Sequence, residues 1–234
     1  MLINNFTYFQ RMANYNDKVS GMDKPTATHR TSEDWYAYSV QNFDYKFNSW
    51  GFRGPDYEQF LNKRVNLCLG DSFTVNVGGP IEHSWCSQLA KHFDIPTINL
   101  GMDGAGNDAI RVVYERACNI FDVQDTFVMY SFLHRRLDNN LKFIQDARIK
   151  TRDNFKYFLH QRIKNIYEAA LPSWCWYHIE KSFLKRLKIF TYTSKYKRDE
   201  ISEERNRDGF HMSKRINKIY ADYFYNNWKN NNDL

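Results

Sequence analysis

The sequence predicts an α/β fold built on a parallel sheet, and three observations predict it. Short apolar runs that read as strands recur at residues 65–70, 96–100 and 125–132. Stretches with apolar residues at helical spacing lie between them. Each run leaves at its carboxyl end into a loop of glycine, polar or charged residues. Strand, helix, strand, helix, strand at these intervals calls for right-handed crossovers.

The elements follow in order. Residues 1–47 are polar and aromatic without clean periodicity and read as an irregular N-terminal arm. Residues 47–58, FNSWGFRGPDYE, are dense in Gly and Pro and read as a structured loop. In the first strand Val65, Leu67 and Leu69 alternate with Asn66 and Cys68, and Gly70 ends the run. Trp85, Leu89 and Phe93 then share one helical face. PTINL, residues 96–100, is the second strand. Ile110, Val113, Tyr114, Ala117 and Phe121 share the face of the next helix, and DTFVMYSF, residues 125–132, is the third strand. Residues 137–183 read as mostly helical, an insertion expected to border the pocket. Residues 186–193, RLKIFTYT, read as a further strand. A charged loop then leads to a last helix striped by Ile216, Ile219, Tyr220, Tyr223, Phe224 and Trp228, which fits packing on the sheet. The domain itself is expected over residues 48–234.

Bulk properties narrow the function. The 234 residues suit one domain with a substantial core. No run approaches the roughly 20 apolar residues of a membrane span, and the start lacks a secretory pattern, so a cytoplasmic location is expected. Cys68, Cys86, Cys118 and Cys175 are irregularly spaced, which suggests neither a zinc site nor a disulfide framework, and they read as buried thiols. The net charge of +6 is scattered and accompanies no nucleic-acid motif, so no nucleic-acid partner is expected.

In an open parallel sheet, sites lie beyond the carboxyl ends of the strands. The loops that leave there hold Gly70-Asp71-Ser72, residues 101–107, Leu133-His134-Arg135, and the charged loop with Asp208 and His211. Together they contain the parts of a hydrolytic site. A serine hydroxyl needs a base to take its proton, and His211 can be that base. Asp208, three residues earlier, can hold the ring and stabilise the imidazolium. Gly104 offers a backbone N–H, unobstructed by a side chain, to a developing oxyanion. Arg135 and Arg136 could grip an anionic substrate, but a solvated or salt-bridged pair is the preferred reading.

These residues resemble the sequence blocks of the SGNH (GDSL-like) hydrolases. GDSFT at 70–74 resembles block I, NLGMDG at 99–104 resembles block II, and DGFH at 208–211 resembles block V. NSWGFRG at 48–54 is also similar to a stretch ahead of block I in some members. The resemblance implies a three-layer α/β/α sandwich (SGNH or flavodoxin-like), a Ser72-Asp208-His211 triad, and oxyanion donors at Ser72 and Gly104. One block departs. Block III, GxND, is replaced by SFLHRR at 131–136, so its Asn donor is missing. His134 could donate instead. Asn107, in an AGND that falls in the block II loop, is the weaker substitute.

The resemblance implies a serine esterase that removes a small acyl group, such as acetyl, from a small-molecule or carbohydrate ester through an acyl-enzyme on Ser72. It implies no metal and no organic cofactor. The contrasting expectation is a non-catalytic SGNH-like module that binds glycan or serves a structural role, supported by the missing block III Asn.

Overall fold

The computed structural model describes residues 45–137, 143–145, 157, 165–195, 204–206 and 210–232. The apolar run from residue 65 forms β1 (Arg64–Gly70), followed by the four-residue helix α1 (Ser72–Val75) and by α2 (Trp85–Ala90). β2 (Thr97–Gly101), α3 (Asn107–Ala117) and β3 (Asp122–Tyr130) come next. A small antiparallel ribbon pairs β4 (Arg135–Leu137) with β5 (Phe143–Gln145). β6 (Ile166–Ala170), α4 (His178–Arg186) and the long α5 (Lys214–Asn232) complete the described elements.

The main sheet is parallel throughout, in the order β2-β1-β3-β6. From β1 the chain moves outward to β2, then crosses back over β1 to reach β3. Right-handed connections therefore place α2 and α3 on opposite faces. The α2 face is filled by aromatic rings: Trp85 lies 4.8 Å from Phe224 of α5, and Phe127 of β3 meets Phe93 at 5.6 Å and Phe224 at 5.8 Å. Ile216, Tyr220 and Phe224 seat α5 with almost no exposure. Burying side chains of that size contributes roughly 1.5–3 kcal/mol each. The reversal of direction falls between β1 and β3, the switch point where open α/β sheets place their ligands. Ser72 stands at that edge.

Three expectations are corrected. Of residues 137–183, expected to be mostly helical, the described ones supply the end of β4, β5, the sheet strand β6 and the start of α4, and 138–142, 146–156 and 158–164 lie outside the described residues. Residues 186–193, expected to be a strand, begin as the end of α4 and pair with the sheet only at Phe190, opposite Ala169. Cys118 is exposed, unlike the other three free thiols. No helix among the described residues is long and apolar enough to cross a membrane.

Of the N-terminal arm, only Tyr45 to Phe47 fall among the described residues. They pack on the domain: the Tyr45 hydroxyl accepts the Gly78 N–H at 2.7 Å, and Phe47 bridges Arg53.

Candidate active site

β1 ends at Gly70 and delivers Ser72 as the first residue of α1. Asp71 caps that helix, its carboxylate accepting the Phe73 N–H at 3.0 Å. The helix is short because Asn76 leaves it in the left-handed conformation, φ 61°. Block II lies against it. Gly101 has no room for a side chain, since a Cβ there would sit 2.7 Å from the Val75 nitrogen. Met102 donates to the Gly70 carbonyl at 3.1 Å, which pins the block II loop to the end of β1. The loop then turns through Asp103 and Gly104, and Gly104 takes φ 76°, a conformation glycine adopts freely.

His211 arrives from 139 residues further along the chain. Its Nε2 lies 2.8 Å from Ser72 Oγ, and both residues are buried. That spacing lets the imidazole take the hydroxyl proton. Phe73 and Phe210 flank the ring at 4.5 Å and 5.3 Å. Phe210 also stacks on Phe132 at 6.2 Å, and its carbonyl accepts the Trp174 indole N–H at 3.1 Å. Residues 174–176 thus border the site, with Trp176 5.9 Å from Phe132. Asp208 lies outside the described residues. The ends of its loop are described: Arg205 bridges Met212, and the Asn206 N–H donates to the His211 carbonyl at 2.6 Å.

The position of block III is occupied by a different network. Ser131 Oγ donates to Asp71 at 2.6 Å, and Arg135 reaches the same carboxylate oxygen at 3.0 Å. Arg135 is therefore salt-bridged, with its guanidinium also resting on the Phe132 ring at 4.4 Å. Asn107 clasps the Ser131 backbone, accepting its N–H at 2.8 Å and donating to its carbonyl at 3.0 Å. Its amide ties the start of α3 to the end of β3. His134 is half-buried beside Phe132, at 5.4 Å.

Three features had no signal strong enough to single them out in the sequence. The buried Arg53 donates from one nitrogen to the carbonyls of Val75, Asn76 and Gly79, at 3.0, 2.8 and 3.0 Å, and so braces the end of α1. Asn76, Asn206 and Asn217 meet in a buried cluster. Asp103 lies within electrostatic reach of His211: burial raises its carboxyl above the ordinary value, nearby His211 lowers it, Asp71 raises it, and Arg135 and the Gly104 N–H lower it. Among the described residues no cluster of His, Cys, Asp or Glu could hold a metal ion.

The chain is similar to GDSL-type hydrolases of known structure. One is a member of the lipolytic protein G-D-S-L family from Veillonella parvula, at 15% identity and TM-score 0.42, covering 70% of this chain and 97% of that one. A second is the psychrotrophic esterase EstA from Pseudoalteromonas, at 15% identity and TM-score 0.45, covering 73% and 99%. A third is a carbohydrate acetylesterase family member from Sinorhizobium meliloti, at 13% identity and TM-score 0.45, covering 73% and 100%. No protein-family model matches the sequence, and no curated protein matches it.

Proposed function

We propose that this protein is an SGNH-type serine esterase acting through an acyl-enzyme on Ser72. The observation that carries the reading is the 2.8 Å contact between Ser72 Oγ and His211 Nε2 at the carboxyl edge of the sheet. Ser72 Oγ attacks the ester carbonyl while His211 takes its proton. The tetrahedral oxyanion is met by the backbone N–H groups of Ser72 and Gly104. His211 returns the proton to the leaving alcohol. Water, deprotonated by His211, then releases the acid and restores Ser72. Asp208 orients the imidazole and stabilises its charged form.

The absent block III Asn removes one donor, which typically slows such reactions about 10²- to 10³-fold. His134 is the candidate replacement. Asn107 is the weaker one, since donation from its amide would compete with its clasp on Ser131. Asp103 bears on the same hole, because it immediately precedes Gly104 in the block II loop and burial raises its carboxyl. A small acyl ester, acetyl on a carbohydrate first, is the substrate class to try, and no cofactor takes part.

The second reading, a non-catalytic glycan-binding module, is favoured by one observation: Ser131 and Arg135 close on Asp71 where the block III donor would stand. Fluorophosphonate labelling followed by peptide mapping separates the two. The esterase reading expects a single adduct on Ser72 that disappears in Ser72→Ala. Folded protein that takes no adduct overturns it in favour of the binding module.

A further inference from the structure

We propose that Asn206 is a positioning residue for His211, acting through a buried junction of three amides. Asn76, Asn206 and Asn217 come from three separate parts of the chain and are at most 2% exposed. Asn76 is the residue that ends the helix bearing Ser72. Asn206 belongs to the segment paired with His211, and Asn217 lies in the first turns of α5, just after it.

The bonds join these parts directly. Asn206 Nδ2 donates to Asn76 Oδ1 at 3.3 Å and to the Val77 carbonyl at 3.0 Å. Asn217 Nδ2 donates to Asn76 Oδ1 at 3.0 Å, and to the carbonyls of Met212 and Ser213 at 3.0 and 3.1 Å. Asn217 Oδ1 accepts the Trp85 N–H at 2.9 Å, and Asn76 Nδ2 donates to the Pro80 carbonyl at 2.6 Å.

The orientation of each amide is forced by its other partners. The Pro80 and Val77 carbonyls can only accept, so they fix the NH₂ ends of Asn76 and Asn206. The Trp85 N–H can only donate, so it fixes the oxygen of Asn217. With those ends set, Asn76 presents its oxygen to both neighbours, and both neighbours present N–H groups to it. Gly79 leaves space for this, since a Cβ there would fall 2.9 Å from Asn206 Nδ2.

The consequence is a closed ring. Ser72 runs through α1 to Asn76, Asn76 bonds Asn206, the Asn206 N–H bonds the His211 carbonyl, and His211 reaches back to Ser72. The Ser72–His211 spacing is one side of that ring, and the amide contact is the opposite side. Neutral amides suit the role, because they lock two backbones together without adding a charge near the imidazole. Small errors in such a spacing can cost about 10²-fold in rate.

This inference rests on the esterase reading for its consequence, but its test does not. Long-range ¹H–¹⁵N spectra report the His211 ring nitrogens, and Ser72→Ala shifts them by removing the hydroxyl. In an Asn206→Leu background, which keeps the branched side-chain shape and removes the two donated bonds, that Ser72-dependent shift is expected to be lost. Fluorophosphonate labelling of Ser72 is expected to slow about 10- to 100-fold. In a His211→Ala background the same substitution should have no further effect on labelling.

An unchanged His211 response in Asn206→Leu overturns the proposal. So does a slowing that persists without His211. A wild-type protein that never labels would sink the esterase reading, while the ring-nitrogen spectra would still decide the role of Asn206. Asn206→Ser guards against a folding defect in the leucine variant. If neither variant folds, Asn206 is a folding residue and the proposal fails.

Discussion

Ser72 and His211, the proposed nucleophile and base, are held in different ways. Ser72 stands on a four-residue helix gripped from several directions: Asp71 caps its start, Arg135 and Ser131 hold Asp71, Arg53 braces its end, and Gly101 lies against Val75. His211 rides on a short segment held by one β-bridge, by the Asn206–His211 and Ser213–Glu204 backbone bonds, and by side chains of Trp174 and Asn217 on its carbonyls. The serine is fixed by the centre of the sheet. The histidine is brought to it by a loop, and its spacing depends on how that loop docks. Preorganisation of the site is therefore least secure on the base side.

Experiments can break or sharpen this contrast. Ser72→Ala and His211→Ala should each lower esterase turnover by about 10⁴-fold or more, measured on a chromogenic acetate, with little loss of fold. Asp208→Asn should cost about 10²- to 10⁴-fold, reading whether the loop supplies the orienting carboxylate; wild-type turnover in that variant would remove Asp208 from the mechanism. On the nucleophile side the larger effect falls on stability. Arg135→Leu removes the counter-charge of the buried Asp71 carboxylate and should cost about 3 kcal/mol, seen as a fall in denaturant midpoint.

The smallest effect concerns Asp103. Burial raises its carboxyl, so the folded protein favours the protonated form more than the unfolded chain does. Its contribution is present below the ordinary carboxylate range and is lost as pH rises through the raised value. Asp103→Asn should therefore raise Tm at neutral pH, with the gain shrinking toward pH 4. A gain of the same size at both pH values would refute the assignment.

The two sides also differ in how far the sequence reveals them. β1, β2 and β3 carry clean apolar runs, and α2, α3 and α5 carry helical stripes, so the first three strands and their crossovers are legible. β6 is not. Its residues, Ile166 to Ala170, include Glu168 and two alanines, which reads as helix-compatible. The explanation is tertiary: Glu168 accepts the Tyr130 hydroxyl, so a charge sits within a sheet strand without breaking the pairing. Ser72 and His211 are visible because short motifs surround them. Arg53, Asn76, Asn206 and Asn217 are not, because the bonds that tie them to distant segments span 22 to 141 residues and no local pattern records a partner so distant.

The span between Ser72 and His211 has a consequence for the newborn chain. The polypeptide emerges from the ribosome N-terminus first, and the serine appears long before the residue that would activate it. The β1–α1 turn could form early, but its hydroxyl would stay inert until Asn206, His211 and Asn217 had emerged and the two asparagines had settled against Asn76. Any ester-cleaving power would thus switch on at once, late in biogenesis. Fragments that stop short of that point would display the GDS signature and remain chemically silent.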